Sequence, residues 1–330
     1  MKTELAKKNN PILNKGMFQQ LLASGSLIIL IIFFSLASPN FLSFSNIVGI
    51  LLSTAVVGIL ALGSTFVIIT GGIDLSVGTV MTLSAVMTGV FITFWDMPIV
   101  LGIIGGILTG SICGLISGVA VSRFKIPPFI ATLAMMMIAK GLALIISGTK
   151  PIYFNDDHAL KFTELSSGSI IGEIIPGFNI PNAVFIFFIA AIIGHILLSK
   201  TILGRYNYAI GSNEEATRLS GINVKKWKIA IYTITGAFVG LAGVIMAARL
   251  NSAQPGLGAG YELEAIAAVV IGGTSLSGGK GTIVGTVIGA LIMTVLTNGL
   301  RILSVPQEWQ TVVVGCVILL AVYMDIVRRK

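Results

Sequence analysis

Residues Ile69–Gly78 read ITGGIDLSVG, and the two long uncharged runs on either side, Ile47–Thr70 and Gly78–Trp95, decide the fold. Each run approaches or exceeds the ~20 apolar residues that cross a bilayer as a helix. Between them, Gly71 and Gly72 interrupt helical backbone, and Asp74 and Ser76 are residues that start a helix. The stretch is therefore a polar break between two membrane helices. Non-helical backbone beside the hydrocarbon is tolerated only where protein or water covers it. Two readings of Asp74 stand side by side. It caps the third span, with Ser76 as the competing cap, or it lies with Ser76, Gly71 and Gly72 beside a water-filled path or its gate.

Working outward, the same pattern repeats along the chain. The 330 residues are 55% hydrophobic and 10% charged, against about 25% charged in ordinary globular domains. Such a chain cannot cover a water-facing surface, so the expected class is an all-α, polytopic membrane protein. Ten spans are expected: Phe18–Ala37, Ile47–Thr70, Gly78–Trp95, Ile99–Val121, Pro128–Ser147, Ala183–Ser199, Ile229–Arg249, Leu263–Leu276, Thr282–Leu303 and Thr311–Val327. The eighth is short for a crossing and reads as a half-helix or a tilted, buried segment. The domain organisation is a tail over 1–17, one transmembrane domain over 18–327 and a short end over 328–330. The first apolar run is too long for a cleavable leader and lacks a small-residue cleavage site before Pro39.

Basic residues set the expected orientation. With both termini inside, the inner segments hold Lys2, Lys7, Lys8, Lys15, Arg123, Lys125, Lys200, Arg205, Arg218, Lys225, Lys226, Lys228, Lys280, Arg328, Arg329 and Lys330, sixteen of the 21 Lys and Arg. The longest outer loop, 149–181, carries Lys150 and Lys161 against Asp156, Asp157, Glu164 and Glu173. This bias is the positive-inside pattern, and it accounts for the net charge of +8 without a nucleic-acid partner. Trp95, Trp227 and Trp309 fall at span ends, where indole prefers the interface. Cys113 and Cys316 lie within spans and suggest no disulfide framework.

Glycine ladders at four-residue spacing mark close helix contacts: Gly102, Gly106, Gly110, Gly114 and Gly118 in the fourth span, Gly236 and Gly240 in the seventh, and Gly281, Gly285 and Gly289 in the ninth. Packing within the chain is the plain reading, and a seam between copies the other. The opening motif also has an echo. GGIDLSVG at Gly71–Gly78 resembles GGTSLSGG at Gly272–Gly279, which places Ser275 and Ser277 beside Asp74 and Ser76 as path or gate candidates and hints at duplication. The span count puts both motifs at one side, which does not suit a simple inverted repeat. Lys140 interrupts the fifth span, and either snorkels to the interface or pairs inside the bundle. His195 is a packed or interfacial residue before it is a proton relay.

Nucleotide chemistry is not expected of this chain. LSGGK at Leu276–Lys280 and GGKGT at Gly278–Thr282 imitate ATPase loops, but a phosphate loop needs Gly-x-x-x-x-Gly-Lys then Ser or Thr between a strand and a helix. Here position 274 is Thr and Gly281 follows Lys280. The two histidines, His158 and His195, fall on opposite sides, so no metal site is expected, and no nucleophile sits with a base.

One polar stretch separates the remaining classes. GRYNYAIGSNEEATRLSGINVKKWK, Gly204–Lys228, lies inside between the sixth and seventh spans. Its core, Ser212–Asn223, reads as a short helix: Ser212 or Asn213 caps it, Glu214 and Glu215 suit its first turn, and Gly221 ends it. Ala216, Leu219 and Ile222 form a small apolar face, Glu214, Glu215 and Arg218 a charged rim, and Ala216, Ser220 and Gly221 allow close seating. Such a helix suits a groove in a partner. A channel or facilitator working alone would have no use for it. Opposite, Asn251–Ala265 is glycine-rich and polar. Asn251, Gln254 and Glu262 are expected at the outer face, where they receive substrate or simply connect two spans. Glu262 and Glu264 open the next helix, with charge that suits its dipole.

ITGGIDLSVG, GSNEEATRLSGINV and Ala248–Ala290 (ARLNSAQPGLGAGYELEAIAAVVIGGTSLSGGKGTIVGTVIGA) together resemble the ribose-type sugar permeases of bacterial ABC importers, from about Phe41 to the chain end. The resemblance implies a homodimeric permease of the bacterial cytoplasmic membrane, without cofactor of its own. It is driven by a separate ABC ATPase subunit that binds the ATP and fed by an extracytoplasmic sugar-binding protein. It also implies that Asn213–Ile222 is the coupling helix. The family carries ribose, xylose, arabinose, galactose, inositol and autoinducer-2, with ribose the first expectation.

Overall fold

Hydrocarbon offers backbone groups no partner except one another, so each apolar run closes its own hydrogen bonds as a helix. The computed structural model describes residues 15–154, 157–175, 177 and 179–327. The first part of the expected tail, 1–14, with Lys2, Lys7 and Lys8, and the end 328–330, with Arg328, Arg329 and Lys330, lie outside the described residues, as does Asp156. The helices are α1 (Lys15–Ala37), α2 (Phe44–Ile69), α3 (Val77–Gly89, continued by a π-helical turn over Val90–Phe94), α4 (Ile99–Ser122), α5 (Pro128–Ser147), α6 (Asp157–Ser167), α7 (Ile170–Ile174), α8 (Asn182–Lys200), α9 (Ile202–Ser212), α10 (Glu214–Leu219), α11 (Val224–Leu250), α12 (Tyr261–Ile271), α13 (Ile283–Ile302) and α14 (Gln307–Val327). Among the described residues the sheet content is one short antiparallel pair, β1 (Ile152–Tyr153) with β2 (Ser252–Ala253), Ile152 opposite Ala253.

Nine helices among the described residues are long and apolar enough to cross a membrane: α1–α5, α8, α11, α13 and α14. They coincide with nine of the ten expected spans. The tenth expectation, Leu263–Leu276, is the half-helix α12 of eleven residues, about 16 Å long at 1.5 Å per residue. α11 starts five residues earlier than the apolar pattern suggests, because the Asn223 side chain caps it by accepting from the Lys226 N–H at 3.1 Å. The cap carries helix into a basic turn that hydrophobicity alone reads as loop.

α2, α3 and α11 form the centre and are buried over most of their length, whereas α14 buries none of its described residues. The glycine ladders explain the tightest seam. A Cβ at Gly114 would collide with the Tyr232 carbonyl, and one at Gly110 would sit 2.7 Å from the Gly240 nitrogen, so α4 and α11 touch backbone to backbone. Gly285 and Gly289 likewise meet Gly272 and Ala268, which docks α12 on α13. These ladders are therefore seams within the chain. Hydroxyl pairs add polar glue between α2 and α13: Thr54 with Thr294 at 2.6 Å and Thr65 with Thr286 at 2.7 Å.

Contacts sort the helix ends into two sets. Gln20 Nε2 donates to Thr282 Oγ1 at 3.1 Å, the Gly279 N–H donates to the Ile69 carbonyl at 2.8 Å, and the Leu75 N–H donates to Thr132 Oγ1 at 3.1 Å. The start of α1, the end of α2 and the starts of α3, α5 and α13 thus share one end with both Gly-Gly loops. At the other end Phe34 packs on Gly299, Arg249 donates to Ser53 Oγ at 3.1 Å, and β1 pairs with β2.

Candidate functional site

At the end that carries the Gly-Gly loops, the polar stretch folds into α9 and α10. Asn213 Oδ1 accepts from the Ala216 N–H at 2.9 Å and caps α10, and Gly221 turns the chain with φ +82°. Of the two expected caps Asn213 is used, while Ser212 closes α9. Thr217 alone of the helix is buried, Ala216 is exposed, and Leu219 is 75% exposed; Ile222 is half-buried. The charged rim is tied within the chain. Arg218 makes a forked ion pair with Glu215, Lys228 pairs with Glu214 at 2.6 Å, and Ser220 Oγ donates to the Ala216 carbonyl. The Arg218 hydrogen bond holds the Glu215 carboxyl below its usual range.

The two Gly-Gly loops meet at the same end. Gly71 (φ +78°) faces the Ser277 carbonyl, and Gly72 packs beside Tyr232 and Val67. Asp74 Oδ1 accepts from the Ser76 N–H at 2.9 Å and from Ser76 Oγ at 2.6 Å. Both side chains are buried, and neither makes the usual cap bond into α3. Ser275 is buried and its N–H donates to the Lys280 carbonyl, whereas Ser277 is exposed. The loops join Gly71 to Ser277, while Asp74 and Ser76 bond each other.

At the opposite end lies a cavity of about 810 Å³ between α2, α11, α12, α13 and α14, within the 300–1,000 Å³ of small-molecule sites. Thr294, Thr297, Asn298 and Arg301 of α13 line one wall and Gln307, Gln310 and Thr311 of α14 a second; Ser53, Arg249 and Glu264 add polar groups elsewhere, among apolar side chains such as Val57, Met246 and Val314. The chain reaches this place by leaving β2 and packing Gly258 against the Gly78 carbonyl in the first turn of α3. α12 then starts beside the cavity, where Gly260 and Tyr261 line it, and the Gly260 N–H bonds to the Glu262 carboxylate at 3.1 Å. Asn251 ends α11 in the left-handed region (φ +49°), and Gln254 is exposed with Nε2 donating to Ser252 Oγ at 3.4 Å. None of Asn251, Gln254 and Glu262 lines the cavity; their neighbours Leu257, Ala259 and Gly260 do. Lys140 is exposed beside a narrow cleft with Thr79, Thr82 and Gly258, and enters neither ion pair recorded among the described residues.

Sequence reasoning missed the cavity walls, although a signal was present. Thr294, Thr297, Asn298 and Arg301 stand at i, i+3, i+4 and i+7, and Gln307, Gln310 and Thr311 at i, i+3 and i+4. Each set puts polar side chains on one face of a largely apolar helix. The fold makes a membrane-crossing bundle with a polar cavity at one end and a capped, exposed helix at the other, the arrangement of a transport subunit.

Comparison with known proteins agrees. Residues 46–322 match the family described as "Branched-chain amino acid transport system / permease component". The chain is 45% identical to the ribose import permease protein RbsC of Bacillus subtilis (strain 168) over 331 residues, covering 100% of this chain and 99% of the relative. It is 43% identical to RbsC of Escherichia coli (strain K12) over 301 residues, 91% of each chain. The D-allose transport system permease protein AlsC of the same strain is 39% identical, covering 90% of this chain and 88% of the relative. No solved structure matches the chain. Nine apolar spans among the described residues and a family match over most of its length thus make this multi-pass membrane protein a member of the transport-system permease family.

Proposed function

We propose that the chain is the permease subunit of an ATP-driven, binding-protein-dependent importer of a monosaccharide, ribose first. The observation that carries this reading is the pairing of a polar cavity at one end with the displayed apolar residues Ala216 and Leu219 at the other. A sugar leaves water only if its hydroxyls find replacement donors and acceptors. Threonine, asparagine, glutamine and arginine side chains offer both kinds, and weak, multiple contacts allow release. Relatives named for ribose, fructose and allose support the monosaccharide class.

In this reading the α10 end and both termini face the cytosol of a bacterium, and the cavity opens outward. The crowding of basic residues at the α10 end supports that orientation. A separate ABC ATPase binds the nucleotide and receives Asn213–Ile222 in a groove. A sugar-binding protein docks outside, near Asn251, Gln254 and Glu262. A second copy lies against the first, for which the unburied α14 is support. Residues 18–327 act as one domain between the tail 1–17 and the end 328–330. ATP binding draws the ATPase halves together, α10 follows, and the spans shift as rigid bodies to exchange outward for inward access. The loops holding Gly71, Gly72, Asp74, Ser76, Ser275 and Ser277 form the inner gate, shaped by backbone.

The test is reconstitution in liposomes with the cognate ATPase and binding protein. Labelled ribose is expected to accumulate only when ATP and both partners are present, with unlabelled fructose and allose as competitors to rank the sugars. Uptake by the chain alone, without ATP, would establish a facilitator and end the importer reading.

A further inference from the structure

α9 belongs neither to a span nor to the docking helix, yet it is tied to both Gly-Gly loops. Its buried residues Leu203, Gly204, Asn207 and Ile210 fall on one face. The last carbonyls of any helix lack partners within it. In α2 the Thr70 N–H bonds to the Val67 carbonyl, leaving those of Phe66 and Ile69 to be met from elsewhere. The fully buried Asn207 donates to the Phe66 carbonyl at 3.1 Å, and the Gly279 N–H donates to that of Ile69 at 2.8 Å. The next residue, Tyr208, donates its hydroxyl to the Gly281 carbonyl at 2.7 Å.

Backbone packing closes the junction. A Cβ at Gly211 would collide with the Ile69 carbonyl and lie 2.6 Å from the Gly279 nitrogen. One at Gly278, where φ is +84°, would lie 2.8 Å from both the Gly211 carbonyl and the Gly71 nitrogen. Three strands of main chain therefore share one contact: the end of α2, the end of α9 and the loop between α12 and α13. Asn213 alone separates α9 from α10, and it is the α10 cap. No flexible linker lies between them to absorb movement.

We propose that α9 is the lever of the transporter, with Asn207, Tyr208 and Gly211 as positioning residues that carry displacement of α10 to both Gly-Gly loops as one block. The inference rests on α10 being the ATPase contact and adds the route from that contact to the gate.

The test uses the permease reconstituted with its ATPase and binding protein, reading three quantities: ATPase retained on purification, ATP hydrolysed, and ribose imported per ATP. The double variant Asn207→Leu, Tyr208→Phe removes two donors at nearly constant volume. It is expected to retain the ATPase and hydrolyse ATP while ribose imported per ATP falls about tenfold, some 1.4 kcal/mol of lost coupling. A merely structural role would lower hydrolysis and import together and leave their ratio unchanged. An unchanged ratio overturns the proposal, and so does loss of ATPase binding, which would make α9 part of the docking surface. Tyr208→Phe alone deletes a single oxygen and answers the same question, with a smaller fall, if the double variant does not reach the membrane. Failure of the α10 reading shows separately, as wild-type coupling in Ala216→Trp.

Discussion

Asp74 holds its loop through one oxygen. Oδ1 takes both Ser76 hydrogen bonds in a buried place, so the side chain shapes the turn between α2 and α3. An asparagine keeps an oxygen able to accept both. Asp74→Asn should insert normally and transport ribose within about twofold of wild type, because the retained acceptor is what the loop uses. Asp74→Ala strands the Ser76 N–H, at about 1–3 kcal/mol, and should lower the yield of folded protein on size-exclusion chromatography. A tenfold loss of transport in a well-folded Asp74→Asn variant would mean that the charge itself acts in the path. Lys140 shows the same dependence on surroundings. It shares a narrow cleft with the hydroxyl-bearing Thr79 and Thr82 and the Gly258 backbone, whose oxygens are of the kind that accept from an ammonium.

At the scale of the element, α10 is six residues long, too short to persist on propensity alone. It is held by the Asn213 cap, the Glu215–Arg218 pair and the Glu214–Lys228 tie to α11. Those charges work within the chain, which leaves Ala216 and Leu219 as the free apolar surface. Ala216→Trp should therefore leave insertion intact and weaken ATPase binding about five- to a hundredfold, the equivalent of ~1–3 kcal/mol of overpacking. Arg218→Ala, which loses an exposed pair, should have a much smaller effect. Co-purification of the ATPase measures both, and wild-type retention in Ala216→Trp would remove α10 from the interface. Gly221 is a poor place for the same test. Its φ of +82° strains any larger residue whether or not a partner docks there.

For the whole molecule the deciding quantity is sidedness. The cavity and α10 occupy opposite ends, so two single cysteines report it. In a Cys113→Ser, Cys316→Ser background, Gln254→Cys should react with an impermeant maleimide added to intact cells. Glu215→Cys should react only in inverted vesicles; both positions are exposed. The reverse pattern would invert the topology and with it the direction of transport. The expectation rests on the basic loops, which remain on the side where they are synthesised.

The spans, their number and the half-helix are legible in the sequence because lipid imposes one local rule: backbone bonds close within the segment, and length must match the hydrocarbon. The α10 cap, its acidic first turn and the Gly221 terminator are legible for the same reason, since each acts within a few residues. The glycine ladders announce close contact, but only the tertiary structure pairs α4 with α11 and α12 with α13. Periodicity names a face and not its neighbour. The cavity lay beyond the sequence reading because its walls come from five helices. Their polar stripes become one site only after α12 starts partway through the bundle. The α9 junction is further still from sequence. It is made by main-chain carbonyls of α2 that every sequence supplies, and only packing decides which side chain meets them.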